Sequence, residues 1–104
     1  MGTSEVRITT QVLKVLGALI AATDEISGAD VARSTELASG TLYPILLRLE
    51  KSRWIESQWE KGDPRELGRP RRRLYSVTAL GAKKARAAFK EIRLALGKPA
   101  WSLS

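Results

Sequence analysis

The sequence predicts a mainly α-helical fold with one small β-hairpin, which places the chain in the α+β class. Apolar residues recur at helical spacing in separate stretches, and two short alternating runs flank a tip rich in turn residues. The chain has 104 residues, enough for one domain with a modest core, and it contains no internal repeat. We therefore expect a single small domain followed by one long helix.

Residues 1–8 show no clear apolar period and are expected to form a mobile N-terminal arm. Thr9 or Thr10 can cap the first helix, which is expected to end at the polar cluster Thr23–Glu25. The pattern indicates a core element that carries no chemistry of its own. Its apolar residues at helical spacing are Val12, Val15, Leu16, Leu19 and Ile20.

A second, short helix is expected around residues 29–34. Ser27 can cap it, and Asp30 stands at the third position of a weak capping box. Glu36–Ala38 then turns the chain, and Ser39 can cap a third helix. A short helix, a tight turn and a longer helix with polar residues at its start are typical of a helix-turn-helix.

The third helix, Ser39–Glu50, has two unlike faces. One is apolar, whereas the other carries a hydroxyl and cations, beside a phenol, that suit phosphate oxygens and base edges. For this helix alone, an ordinary amphipathic surface helix explains the pattern better than a DNA-binding helix does. We expect Leu47, on the flank, to pack beneath the hairpin rather than to touch a thymine methyl. The apolar face holds Leu42, Ile45, Leu46 and Leu49, the other face Thr41, Pro44, Arg48 and Lys51, and the flank Tyr43.

Two strands, at about residues 54–60 and 71–77, are expected to form a hairpin across a turn that begins at Lys61–Pro64. From Lys61 to Arg73 there are six cations and two anions. A run of charge alone is most often only solvated. Directly after a helix-turn-helix, however, it has the position of a wing that lies along a phosphate backbone. Residues 9–78 are therefore interpreted as a winged helix-turn-helix domain.

Thr78 is a good N-cap for a last helix over residues 79–96, which are rich in helix-forming types. One apolar stripe of this helix consists of Ala85, Phe89, Ile92 and Leu96. The stripe can pack on its own domain, but we expect a partner helix, because three helices and a hairpin already close a small core. In the tail, residues 97–104, Trp101 is either a flexible end or an anchor against the other subunit.

The charge balance, 18 Lys and Arg against 11 Asp and Glu, gives a net charge of +7 and a pI near 10.3. This positive charge favours a polyanionic partner, with nucleic acid favoured over an acidic membrane. A basic protein that is merely soluble would have the same charge balance. Cys and His are absent, which excludes thiol and imidazole nucleophiles and zinc sites built on them. We expect no cofactor, no metal and no membrane partner. Without a bilayer-spanning apolar run or a signal peptide, the expected location is the cytoplasm.

Four segments of the sequence resemble the PadR family of bacterial transcriptional regulators. Their order matches the family's recognition helix, its wing and the start of its C-terminal helix, and the likeness covers roughly residues 10–96. The segments are Gly40–Glu50 (GTLYPILLRLE), Trp54–Ser57, Gly68–Tyr75 and Val77–Gly81.

The resemblance implies a winged helix-turn-helix followed by a C-terminal dimerisation helix. It also implies repression of a neighbouring gene, with release by a small-molecule effector or a stress signal. Three positions depart from the family pattern. Ser27–Gly28 stands where a Tyr–Gly pair is usual, and Leu47 stands where members often have a polar or basic residue. Ile92 stands where some members hold flat drugs between Trp side chains, so drug binding is not implied.

The predicted function is that of a sequence-specific regulator, a repressor, which binds a palindromic operator in double-stranded DNA as a homodimer. Arg48 suits either guanine or a phosphate, and the wing arginines suit phosphates or the minor groove. The expected DNA-binding residues are Ser39, Thr41, Tyr43, Arg48, Arg69, Arg71, Arg72 and Arg73. The expected dimer interface consists of Ala85, Phe89, Ile92, Leu96 and Trp101.

The alternative is a winged-helix module that binds an acidic protein through its basic tip, and loss of DNA affinity would favour it. An enzyme would need a Ser–Lys or carboxylate arrangement, because His and Cys are absent. No such spacing stands out in the sequence, so the chain is not expected to be an enzyme.

Overall fold

This computed structural model describes residues 6–97, which contain five helices and three strands. In chain order they are α1 (Thr10–Ala21), β1 (Ile26–Ser27), α2 (Gly28–Thr35), α3 (Ser39–Lys51), β2 (Ile55–Trp59), α4 (Pro64–Leu67), β3 (Arg73–Val77) and α5 (Ala79–Ala95). Of the helices in residues 6–97, none combines the length and the apolar character that crossing a membrane requires.

β3 is the central strand of a three-stranded antiparallel sheet, with β1 on one side and β2 on the other. The hairpin pairs Ile55 with Val77 and Trp59 with Arg73, whereas Ile26 of β1 lies opposite Tyr75. The sequence predicted only the hairpin. It missed β1 because two residues are too few to show an alternating pattern.

α2, the turn after it and α3 form the predicted helix-turn-helix, and the β2–β3 hairpin forms the predicted wing, which confirms the fold class. The turn begins at Glu36, whose φ of 60° ends α2 in the left-handed region. The wing tip contains a helical turn that the sequence did not predict. Asp63 caps the one-turn helix α4, and its Oδ1 accepts a hydrogen bond from the N–H of Arg65 at 2.9 Å.

The core lies where the apolar faces of α1, α2 and α3 meet the sheet. Leu16 of α1 and Leu42 of α3 are fully buried in it. Val6 packs in the same core and is only 7% exposed, which differs from the mobile arm expected over residues 1–8. A single valine outside any periodic run gives no sequence signal of burial. Residues 1–5 of that arm lie outside the described residues.

Backbone-to-side-chain hydrogen bonds confirm three of the predicted helix caps and show that the fourth is wrong. Each bond satisfies an amide that has no partner within its own helix. The hydroxyl oxygens of Thr9, Ser27 and Thr78 accept from the N–H groups of Val12 (3.1 Å), Asp30 (3.1 Å) and Gly81 (3.0 Å). Ser39 is not a cap but the first residue of α3, and Ala38 before it offers no side-chain acceptor.

α5 is joined to the segment that follows α3 by hydrogen bonds from Thr78 and by a close backbone approach. Thr78 Oγ1 donates to the carbonyl oxygen of Arg53 at 2.7 Å, and the Thr78 N–H donates to that of Trp54 at 3.0 Å. A Cβ atom at Gly81 would lie 1.9 Å from the Trp54 carbonyl oxygen, so only glycine allows this approach. The Thr-x-x-Gly pattern therefore seats α5 on the backbone that follows α3.

Candidate nucleic-acid interface

α3 divides into a buried face and an exposed face. Leu42, Leu46 and Leu49 are each 1% exposed or less and hold the helix in the core. The face turned away from the core presents hydroxyl, phenol and guanidinium groups to solvent. The predicted contact residues on this exposed face are Ser39, Thr41, Tyr43 and Arg48.

The start of α3 leaves backbone polar groups open to a ligand. Ala38, at the N-cap, supplies no side-chain hydrogen bond. Pro44 lies inside the helix and has no N–H to donate to the carbonyl of Gly40 one turn earlier. Because the helix dipole is positive at this end, the exposed first turn suits a phosphate oxygen.

Tyr43 is fixed in position by α2. A Cβ atom added to Gly28 would lie 2.7 Å from the Tyr43 hydroxyl oxygen, so the phenol lies directly against the start of α2. The ring is nevertheless 45% exposed. Tyr43 therefore both packs between the two helices of the helix-turn-helix and faces solvent.

Leu47 does not pack beneath the hairpin, and that prediction is wrong. The side chain is 55% exposed on the same surface as Tyr43. Because more than half of the side chain is open to solvent, the hairpin does not cover it. An exposed leucine here is an apolar group on an otherwise polar candidate interface.

The wing tip is closed by Glu60, at the end of β2. Its carboxylate accepts from Arg69 Nη1 at 2.6 Å and from Nη2 at 2.9 Å, and also from the backbone N–H of Arg72 at 3.2 Å. Such a two-pronged pair fixes the orientation of both side chains. Glu60 therefore holds the two sides of the tip together across the base of α4.

The same pair changes the ionisation of Glu60. The hydrogen bond from Arg69 lowers the pKa of the Glu60 carboxyl from 4.5 to about 2, and the bond raises the pKa of Arg69 above its ordinary value. Both groups are therefore charged across the neutral range. Arg69 therefore pairs its guanidinium with Glu60 inside the wing, while 33% of its side chain remains exposed.

Arg73 is also engaged within the chain. Its Nε donates to Ser57 Oγ at 3.0 Å, and Ser57 Oγ in turn donates to Glu50 Oε2 at 2.6 Å. Nη2 of Arg73 lies 3.7 Å from the same carboxylate oxygen, and the guanidinium carbon lies 5.0 Å from the centre of the Trp59 ring. Arg73 thus links the wing to the C-terminal half of α3.

Arg71 and Arg72 are the exposed cations of this group of wing arginines. Within residues 6–97, neither guanidinium forms an ion pair. Of the four predicted wing contacts, Arg69 and Arg73 thus form ion pairs within the chain, whereas Arg71 and Arg72 are open to a ligand.

The sequence did not single out Glu60, and its role could not have been found from the local pattern. A glutamate at the end of a strand next to a long loop has many possible partners, and Arg69 is only one of six cations that follow it in the wing.

Across residues 6–97, no group of three or more acidic side chains could hold a metal ion, and the chain has no His or Cys.

The apolar stripe predicted for dimerisation is partly buried within the chain and partly exposed. Ala85 is fully buried in the chain's own core, so it has no surface left for a partner and its assignment to the interface is wrong. Small size explains this, because an alanine lets α5 approach α1 closely. Phe89, Ile92 and Leu96 remain 41%, 37% and 78% exposed. Trp101 lies outside the described residues.

Residues 22–87 match a family model described as the transcriptional regulator PadR-like family. The match extends from before α2 to the first half of α5 and includes the exposed face of α3 and the wing. This chain belongs to the PadR-like family. The resemblance predicted from sequence is thereby confirmed, and the family is one of transcriptional regulators, not of enzymes.

Solved PadR structures have the same fold. A PadR family transcriptional regulator from Eggerthella lenta has a TM-score of 0.70 and 24% identity, over 84% of this chain and 75% of that one. One from Clostridium difficile has a TM-score of 0.69 and 22% identity, over 83% and 90% of the two chains. At these identities the likeness shows a shared fold alone.

Two of the similar structures were solved with operator DNA. Bacillus subtilis PadR in such a complex has a TM-score of 0.65 and 18% identity, over 86% of this chain and 49% of that one. A mutant of E. coli MarR, complexed with operator DNA, has a TM-score of 0.64 and 23% identity, over 80% and 54% of the two chains. A comparison with curated proteins gave no match.

Proposed function

We propose that this PadR-like regulator is a repressor that binds a palindromic operator as a homodimer in the cytoplasm, where it meets the chromosome. The observation that carries the proposal is the division of α3: leucines lock one face in the core, while Tyr43 and Arg48 are exposed on the other. A rigid helix with exposed donors can enter the major groove and contact base edges.

The wing arginines take two roles in this proposal. Arg71 and Arg72 contact phosphates, because they are exposed and form no ion pair in residues 6–97. Arg69 and Arg73 are positioning residues, because Glu60 and Glu50 already hold their guanidinium groups. The resulting wing presents two adjacent cations from a tip of fixed shape.

The homodimer is proposed to form through the exposed part of the α5 stripe. Phe89 and Ile92 are large apolar side chains that α5 leaves more than a third exposed. A two-fold dimer would present two α3 helices to successive major grooves, which requires half-sites about 10 bp apart or a multiple of that spacing. Repression of a neighbouring gene and release by a small-molecule effector belong to the proposal through the family resemblance.

Selection of bound fragments from random duplex DNA tests the proposal. We expect a palindrome with the half-site spacing given above. Recovery of no common sequence would contradict sequence-specific binding and favour the winged-helix module that binds an acidic protein.

Sedimentation of the Phe89→Glu, Ile92→Glu double variant tests the dimer. Charges placed in an apolar interface should give monomers, whereas Lys84→Glu, on another side of α5, should leave a dimer. A folded double variant that still sediments as a dimer would remove this interface.

A further inference from the structure

Helix α5 carries more net charge than the winged helix-turn-helix domain. Residues 79–97 hold five cations and one acid, a net +4, whereas residues 6–78 hold twelve cations and nine acids, a net +3. Much of the charge that favours a polyanionic partner is therefore on an element that supplies none of the DNA contacts proposed above.

Four of the five cations lie on one side of α5. At 3.6 residues per turn they fall within about 80° of arc, and all four are exposed. None of the ion pairs formed within residues 6–97 involves α5. The residues of this cationic stripe are Lys83, Arg86, Lys90 and Arg93.

The cationic stripe faces away from the chain's own domain. Gly81, Ala85 and Ala88 are buried and lie on the opposite side of the helix. Ala79 and Ala87, which border the stripe, are exposed and small. A broad partner can therefore approach the backbone of α5 along the first half of the stripe, whereas Leu94, which is 67% exposed, stands beside its second half.

We propose that the cationic stripe binds the phosphate backbone of duplex DNA, as a contact surface separate from α3 and the wing. Phosphates need only cations in a row, whereas a protein partner is anchored by a cluster of aromatic or large apolar side chains, and the stripe has only Leu94 beside it. An acidic membrane would need a free apolar face on α5, and Phe89 and Ile92, which would form that face, are the side chains proposed to be covered in the homodimer.

The length of the stripe suits this partner. Ten residues at a 1.5 Å rise give about 15 Å, which spans about four phosphates of one strand at 3.4 Å each along the duplex axis. The choice of DNA as partner rests on the proposed function, whereas the existence of a second anion-binding surface does not. The experiment therefore reports on the two surfaces separately.

The test compares three charge-matched double variants for binding to a long duplex of random sequence across a KCl series. Arg86→Gln with Lys90→Gln removes the centre of the stripe, and Arg71→Gln with Arg72→Gln removes the proposed wing contacts. The control, Lys14→Gln with Lys84→Gln, removes the same charge outside both surfaces. Circular dichroism and sedimentation establish that folding and oligomeric state are unchanged.

We expect the stripe variant to bind more weakly and to flatten the log–log salt slope by about 0.9 for each phosphate that it no longer neutralises. The control should keep the wild-type slope. If the first stripe variant alters self-association, Lys83→Gln with Arg93→Gln removes the two ends of the stripe and gives the same measurement.

A stripe variant with the wild-type slope, beside a wing variant whose slope is flattened, would overturn this inference and leave the proposed function standing. If the wild-type protein binds no duplex at all, both the proposed function and this inference are overturned. Sedimentation with vesicles that contain phosphatidylglycerol is the last arm: binding that depends on the stripe, with an unchanged DNA slope, would overturn the inference in favour of a membrane.

Discussion

α3 and the wing present their proposed DNA contacts in different ways. Three almost fully buried leucines hold α3, so its exposed side chains stand on an element fixed by apolar packing. The wing projects from the sheet, and its tip is held by the Glu60–Arg69 pair and by the links from Arg73 to Ser57 and Glu50.

Because the two surfaces are held by different interactions, their geometries depend on different conditions. Apolar packing has no charges to screen or titrate, so the geometry of α3 depends on an intact core rather than on the state of ion pairs. Exposed ion pairs weaken with added salt and with loss of either charge. We therefore expect base discrimination to follow the core, and wing geometry to follow the state of a few polar groups.

Truncation of Leu46 gives the largest expected effect. Leu46→Ala leaves a cavity beneath α3 and should lower the free energy of unfolding by about 2–5 kcal/mol, measured by urea denaturation. Leu47→Ala is the matched control, since its side chain is 55% exposed, and it should stay within about 0.5 kcal/mol. Equal losses from the two variants would contradict the assignment of the two faces.

Tyr43→Phe and Arg48→Ala should leave folding nearly unchanged and reduce discrimination between operator and scrambled duplex. Removal of one base contact costs about 1–3 kcal/mol of discrimination. Both affinities are measured at one fixed salt concentration, with Lys51→Ala as a control at the end of α3. If both variants keep the wild-type ratio of affinities, α3 does not contact bases specifically.

The wing variants are expected to change affinity without changing sequence preference. Arg71→Gln should weaken binding to all duplexes by a similar factor and flatten the salt slope by about 0.9 for one phosphate contact. Glu60→Gln, by contrast, leaves both exposed arginines present but loosens the tip, so it should weaken operator binding with little change of slope. An altered sequence preference in Arg71→Gln would identify it as a base contact instead.

The smallest effect concerns the ionisation of Glu60. Because its folded-state pKa is lowered, from 4.5 to about 2, the ion pair contributes stability above pH 4.5 that is lost as the pH falls towards 2. Carbon-13 NMR of the Glu60 carboxyl should therefore show a midpoint near 2. Arg69→Gln should move it towards 4.5, while Arg71→Gln should not. An unmoved midpoint in Arg69→Gln would show that the pair does not form in solution.

The helices and the hairpin were predictable because their signals are local. Periodic leucines mark α3, and short-range hydroxyl caps mark the starts of α1, α2 and α5. The order of helix, turn, helix and cationic hairpin was sufficient to predict the fold class, and the same segments carried the resemblance to the PadR family.

What could not be predicted depends on partners far along the chain. The pairing of β1 with β3 joins Ile26 to Tyr75, and the Glu60–Arg69 pair forms only once the tip has folded. The exposure of Leu47 and the burial of Ala85 are set by how α3 and α5 pack, since helical spacing fixes a face but not what covers it. Arg69 and Arg73 were grouped with the free arginines for the same reason.

The contact between Gly81 and the Trp54 carbonyl connects the helix proposed for dimerisation with the helix proposed for DNA recognition. It connects α5, proposed to hold the dimer, to the residues that follow α3, through backbone atoms of Gly81, Trp54 and Thr78 and the hydroxyl of Thr78. The angle between the two helices is thus built into the chain. In the proposed dimer held by α5, this junction would set the distance between the two α3 helices and therefore the half-site spacing of the operator.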